Sequence, residues 1–379
     1  MRFSGFDDEW IEEKLGNLVQ IKSGECTKNL ITGIDNSIPY FKVEQLNNSL
    51  KYQIKTPYFI NDKSKIVNKG SIIFPKRGAA ILLNKIRILN QDSFMDTNLM
   101  TLTPNNKLYN EFLYYFIYKE NLSKIADTTS IPQLNNKHIK PYPIKLPSFE
   151  EQLKISKFIS SVDKKVALLS QNLEIFNDFK KGLLQQIFTQ KLRFNFDDEW
   201  KQYKLKDVLT VKSSSISINQ LEENTGDYPL YGASGFLKNI DFCEMDVDYI
   251  SIVKDGSGVG NLSFHEKNSS IVNTSQYLLP KKNFNINFLY YLLQTINLMK
   301  YVNGSSIPHI YFKDYCIEKI NIPSLDEQEK IGKLFVDVDI TMENLNKNIN
   351  ATQEFKKGLL QQMFVVQLIL SLLQNKKHI

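Results

Sequence analysis

The sequence predicts an α+β protein with a pseudo-two-fold internal repeat, in which two mixed α/β domains alternate with two long coiled-coil helices. Three observations predict it. Phe6-Asp7-Asp8-Glu9-Trp10 returns as Phe196-Asp197-Asp198-Glu199-Trp200, so the chain starts again near Arg193. The octapeptide Phe-Lys-Lys-Gly-Leu-Leu-Gln-Gln, Phe179 to Gln186, recurs unchanged from Phe355 to Gln362. Before each octapeptide, apolar residues fall on a seven-residue track: Ile155, Val162, Leu169 and Phe176 in one copy, Ile331, Val338 and Leu345 in the other.

The boundaries follow from these markers: a first domain over residues 1–147, a central long helix over 148–192, a second domain over 193–323, a C-terminal long helix over 324–366 and an atypical apolar and basic tail over 367–379. At 379 residues each domain is large enough to bury a core. With 42% hydrophobic and 23% charged residues the chain is neither a disordered tail nor a collagen-like fibre. The 47 basic residues exceed the 41 acidic ones by only six, an excess that points to nucleic acid only if it is gathered on one face. Cys26, Cys243 and Cys316 are widely spaced and form no CxxC, which argues against a disulfide framework or structural zinc and for a reducing cytosol. No apolar stretch is long enough to span a membrane, and Asp7, Asp8 and Glu9 preclude a signal peptide at the N-terminus.

Within the domains, Ser71 to Phe74 and Tyr249 to Val253 read as strands, and Tyr109 to Tyr118 and Phe288 to Leu293 as short buried helices. Phe112, Tyr115 and Phe116 form an aromatic face expected in the core. Ser148 and Ser324, each followed by acidic residues, are the expected N-caps of the long helices. Gly256-Ser257-Gly258-Val259-Gly260 lacks a Walker lysine and precedes a strand, so it reads as a tight hairpin that could set its backbone, Ser257 and Lys254 against a phosphate. The four histidines show no metal-ligand spacing, and no nucleophile elbow is present.

Residues 24–100 and 214–276 share little beyond Lys-x-Gly at Lys76 and Lys254, so one molecule combines a scaffold that matches with a part free to differ. Candidate DNA contacts lie in the first copy at Lys76, Arg77, Lys85, Lys137, His138 and Lys140. Interleaved with them are Gln133, Asn135 and Asn136, amides able to read adenine edges. The second copy offers Lys254, Ser257, His309, Tyr311 and Lys313. Ser130-Ile131-Pro132-Gln133 and Ser306-Ile307-Pro308-His309 occupy one frame: the scaffold is kept and the residue that could touch a base changes. A helical seam explains Phe179, Leu183 and Leu184 but makes no demand on Lys181, Gln185 and Gln186, nor on Lys357, Gln361 and Gln362. Two identical external partners would.

Taken together, four features carry a resemblance over nearly the whole chain. They are the Lys-Leu starts at Lys14-Leu15 and Lys204-Leu205, the two Ser-Ile-Pro frames, the helix entries Pro147-Ser148-Phe149-Glu150-Glu151-Gln152 and Pro323-Ser324-Leu325-Asp326-Glu327-Gln328, and the paired octapeptides. The sequence resembles the specificity subunits of type I restriction-modification systems. The resemblance implies two target-recognition domains, each reading one half of a split double-stranded DNA site, held apart by antiparallel helices. It implies two methylation subunits carrying S-adenosylmethionine and the catalysis, restriction subunits using ATP and Mg, no cofactor and no catalytic residue on this chain, and a cytoplasmic location. The chain lacks Asn-Pro-Pro-Phe, as that division of labour requires. One departure is that Gln190-Lys191-Leu192-Arg193-Phe194 closes the first copy, whereas the second runs into Val365-Val366-Gln367-Leu368. A coiled-coil scaffold whose globular ends bind protein or carbohydrate is the alternative reading.

Overall fold

The computed structural model describes residues 2–27, 30–32, 37–61, 66–127, 131–221 and 225–364. The tail expected at 367–379 and Ser130 lie outside them. Two compact units emerge, one of the described residues of 2–168 with 349–364 and one of those of 169–348.

In the first unit the chain forms β1 (Ile11–Lys14), α1 (Leu15–Leu18), β2 (Val19–Ser23), β3 (Ile31–Thr32), β4 (Ile38–Phe41), β5 (Tyr52–Gln53), β6 (Tyr58–Ile60), β7 (Ile72–Pro75), β8 (Arg87–Leu89), β9 (Phe94–Met95) and β10 (Leu99–Pro104). Then come α2 (Asn110–Glu120), α3 (Asn136–Ile139), β11 (Pro143–Leu146) and the long helix α4 (Phe149–Phe188). Strands β2-β10-β7-β8-β5 make one sheet, β3-β6-β4-β9 a second, and β1 pairs with β11. The apolar run of β7 is buried throughout, as expected of a strand covered on both faces. Helix α2 packs Phe112, Leu113, Tyr115 and Phe116 into the same core, so the expected aromatic core face is present. It stops at Asn121, whose φ of 63° suits an asparagine closing a helix.

The second unit repeats the plan with β12 (Lys201–Lys204), α5 (Leu205–Val208), β13 (Leu209–Ser213), β14 (Tyr228–Gly232), β15 (Gly235–Ile240), β16 (Tyr249–Val253), β17 (Leu262–His265), β18 (Ser270–Ile271) and β19 (Ser275–Pro280). It continues through α6 (Ile286–Gln294), α7 (Phe312–Tyr315), β20 (Lys319–Ile322) and the long helix α8 (Leu325–Phe364). The order β13-β19-β16-β17 repeats β2-β10-β7-β8, and β12-β20 repeats β1-β11. The stretches with little sequence in common therefore still hold matching strands, β7 and β8 in one and β16 and β17 in the other. What differs is the edge strand β5 of the first unit and the added sheet, β3-β6-β4-β9 in one unit and β15-β14-β18 in the other. A strand needs only apolar residues at its buried positions, so the order survives extensive exchange of side chains.

The long helices enter each unit through the same contacts. Glu151 is buried and receives both Nε and Nη2 of Arg2, at 3.0 and 2.7 Å. Glu327, equally buried, receives Arg193 at 3.2 and 2.8 Å. Gln152 accepts the Tyr109 N–H at 2.8 Å, and Gln328 accepts the Asn285 N–H at 2.9 Å, fixing the starts of α2 and α6. Ser148 caps α4, its hydroxyl accepting the Glu151 N–H at 3.3 Å. Ser324 corrects the expectation of a second cap: its hydroxyl is buried and has no hydrogen-bond partner among the described residues, leaving the dipole of α8 to Asp326 and Glu327. On α4, Ile155 and Ile159 join the first core together with Leu360 and Met363 of α8. Ile187 joins the second core with Ile331 and Phe335. Ile155 and Ile331 are positions of the seven-residue tracks.

Candidate nucleic-acid interface

In each unit a loop is built by backbone hydrogen bonds between segments far apart in sequence. After β7, the Lys76 carbonyl accepts the Leu134 N–H at 2.9 Å and the Gly78 N–H donates to Pro132 at 2.9 Å. Gln133 is bridged on both sides, to Arg77 and to Asp127. After β16, the Lys254 carbonyl accepts the Ile310 N–H and the Gly256 N–H donates to Pro308, both at 2.9 Å. His309 is bridged to Asp255 and Asn303. Gly78 and Gly256, at φ of 82° and 92°, are the glycines of the two Lys-x-Gly matches, and this left-handed turn explains why both copies keep them. The shared frames thus converge on one construction, and it holds Lys76, Arg77 and Gln133 together in one unit and Lys254 and His309 in the other.

The charges differ between the loops. Burial, and then the neighbouring Arg77, push the Lys76 ammonium below its ordinary value, while Arg77 is exposed. Lys254 is ion-paired with Asp255. Asn135, Lys137 and His138 follow Gln133 at the start of α3, where the His138 Nδ1 accepts the Asn135 N–H at 3.2 Å. That ring therefore shapes the helix start and has only Nε2 left for a ligand. The second unit sets His309 against Tyr311, ring centroids 5.0 Å apart, with the Lys313 ammonium 5.3 Å from the Tyr311 centroid. Ser257 and Ser306 are exposed. The glycine run forms the expected hairpin, with the Gly260 N–H bonded to Val253 at 2.8 Å between β16 and β17. Lys85 stands apart from this cluster, donating to Asn47 at 2.6 Å.

The repeated octapeptide divides its residues between two faces. Lys181 and Lys357 are exposed, each near a carboxylate of its own helix, Asp178 at 3.8 Å and Glu354 at 3.6 Å. Gln185, Gln186, Gln361 and Gln362 are exposed as well. Phe179 and Phe355, 51% and 55% exposed, flank Gly182 and Gly358, where an added Cβ would meet nothing within 4 Å. Leu359 and Leu360 are buried. The first lysine of each copy, which sequence reasoning passed over, faces inward: Lys180 pairs with Asp339, and Lys356 with Asp163. Tyr115, Asp163 and Lys356 of one unit match Tyr291, Asp339 and Lys180 of the other at the constant offset between copies, an offset that Lys181 and Lys357 share and that therefore does not tell the two lysines apart.

The two copies of one unit also show in a comparison with known families. The profile of the type I restriction modification DNA specificity domain matches the chain twice, over residues 7–175 and 197–353. The chain belongs to this family. The type I restriction enzyme MjaVIII specificity subunit of Methanocaldococcus jannaschii is 22% identical over 93% of this chain and 91% of its own length. The MjaIX specificity subunit of the same organism is 21% identical over 93% and 92%. Among solved structures, the S subunit of a type I restriction-modification system from M. genitalium covers 96% of this chain and 97% of its own with a TM-score of 0.66 at 19% identity. A chain from a study of complex assembly and conformational transition in the type I system covers 96% and 99% with a TM-score of 0.56 at 15% identity. At these identities the structural likeness speaks for the fold, and the two profile matches carry the family. Among the described residues of this family member, no helix is long and apolar enough to cross a membrane.

Proposed function

We propose that this family member is the DNA sequence-specificity subunit of a type I restriction-modification enzyme, and that its two units read unlike halves of one bipartite site. The observation that carries the reading is the duplicated loop. One backbone frame, bonded in the same way to Lys76-Arg77-Gly78 and to Lys254-Asp255-Gly256, presents Gln133 in one unit and His309 in the other. An amide can bond an adenine edge and an imidazole a guanine or phosphate acceptor, so a constant frame with a changed side chain suits two different half-sites. Lys76, Arg77, Asn135, Lys137, Ser257, Tyr311 and Lys313 supply phosphate and base contacts around it.

The chain itself does no chemistry in this reading. Methylation subunits bring S-adenosylmethionine and dock on the exposed faces at Lys181, Gln185 and Gln186 and at Lys357, Gln361 and Gln362. Restriction subunits bring ATP and Mg, and the complex works in the cytoplasm. The two helices, of 40 residues each and so about 60 Å long, pair as an antiparallel coiled coil and set the unspecified gap. Purified chain with its methylation subunits, titrated with DNA at two salt concentrations, tests the reading, because phosphate contacts make binding fall steeply with salt. Methylome sequencing of a host carrying the genes should return an asymmetric bipartite motif. A continuous or palindromic motif would overturn it.

A further inference from the structure

Ile131 and Ile307 stand at the same place in the two loops, and both are open to solvent, 62% and 68% exposed. A single exposed isoleucine is ordinary surface. This pair is different, because each side chain sits beside a set of backbone bonds that is reproduced in full. The Gly78 N–H to Pro132 matches the Gly256 N–H to Pro308, both 2.9 Å, and the Gln133 N–H to Asp127 matches the His309 N–H to Asn303, both 2.8 Å. The second loop is tight enough that a Cβ on Gly304 would lie 2.4 Å from the Ile307 carbonyl oxygen, so its path leaves little freedom. Neither isoleucine joins a hydrophobic cluster among the described residues. Folding therefore supplies no reason for an apolar side chain at either site.

The neighbours change where the isoleucine does not: Gln133 becomes His309, Asn135 becomes Tyr311, and an exposed Arg77 becomes Asp255 paired with Lys254. A residue common to two readers of unlike sequences cannot discriminate between them, yet it can supply affinity to both. We infer that Ile131 and Ile307 are a matched pair of apolar DNA contacts, each pressed against a base step of its half-site and partly unstacking it, without reading sequence. The inference rests on the reading of this chain as a DNA-specificity subunit. It adds to that reading a division of labour within each loop: isoleucine for grip, and the residue two positions on for selection.

The test uses the full chain with its methylation subunits, on cognate DNA and on random DNA of equal length, with 2-aminopurine placed in each half-site in turn. Ile131→Ala and Ile307→Ala should each weaken binding about five- to tenfold on both DNAs. The methylated motif should stay unchanged, and the fluorescence rise on binding should be lost only in the half-site of the altered unit. Ile131→Met and Ile307→Met, which keep apolar bulk, should bind as the parent does. Being exposed, none of these changes should move the thermal transition. Unchanged affinity would overturn the inference. So would a loss on cognate DNA alone with a relaxed motif, which would make the isoleucine a reader, or a loss of methylation subunits by native mass spectrometry, which would make it a protein contact. Failure of the parent complex to bind DNA at all would instead sink the reading beneath it.

Discussion

Lys356 and Asp163 form an ion pair of 2.6 Å, and Lys180 and Asp339 form its counterpart at the same distance. Each aspartate also accepts a tyrosine hydroxyl from the short helix of its unit, Tyr115 at 2.6 Å and Tyr291 at 2.8 Å. Lysine, aspartate and tyrosine thus tie a long-helix end, the other long helix and the domain together within each unit. Turning Lys180 and Lys356 inward leaves Lys181 and Lys357 outward.

Removing the aspartate leaves a mostly buried lysine without its partner, so Asp163→Asn should destabilise the first unit and Asp339→Asn the second, by about 1–3 kcal/mol each. Hydrogen exchange should localise the loss to α2 and to α6 respectively. Equal loss in both units from either variant would show that the two pairs do not act locally.

Gln133→Ala should relax the half-site read by the first unit and leave the other as it was, at a cost of about 1–3 kcal/mol if the amide holds an adenine. Methylome sequencing reads the outcome directly. Equal weakening on cognate and random DNA would assign Gln133 to the loop's construction.

Charge reversal at Lys181 and Lys357 should lower the number of bound methylation subunits from two to one or none, with unfolding midpoints unchanged because both side chains are exposed. Native mass spectrometry counts the subunits. Two subunits retained by the double variant would place the docking face elsewhere.

His265 gives the second unit a pH dependence. The ring is buried between Tyr231 and Tyr249, bonds Ser251 Oγ through Nε2 at 2.9 Å, and burial pushes its pKa down to about 4 from an ordinary 6.5. Between those values the unfolded chain takes up a proton that the folded chain refuses, so the stability contributed by the neutral ring is complete above about pH 6.5 and declines as pH falls toward 4. The full loss is about 3 kcal/mol. Denaturant unfolding of the parent and of His265→Gln at pH 7.5 and 5 should show a steeper fall for the parent. Parallel losses would exclude His265 as the source.

One heptad added after Ser170 and one after Asn346 keeps the seven-residue register and lengthens each helix by roughly 10 Å. At about 3.4 Å per base pair, the altered protein should keep both half-sites and prefer a gap longer by up to about three base pairs. Recovery of the original gap from a folded, active variant would show that the helices do not measure it.

The sequence by itself determined the duplication, the helix tracks and the frames around Gln133 and His309, because these are local and periodic: a heptad or a repeated pentapeptide is visible without knowing what it touches. It also marked the buried strands at Ile72 and Tyr249 and the core helix at Phe112, since an apolar run reports burial whatever lies against it. Only the tertiary structure decided which of two adjacent lysines in the octapeptide faces inward, because that choice is made by Asp163 and Tyr115 or by Asp339 and Tyr291, which no local pattern joins to Lys356 or Lys180. The same holds for Ser324, a cap by its sequence whose hydroxyl packing leaves without a partner among the described residues, and for the matching strands held by stretches with little residue identity. Hydrogen bonds between distant backbone segments carry no side-chain signature, so the loop that joins Lys76 to Leu134 and Lys254 to Ile310 became visible only in three dimensions.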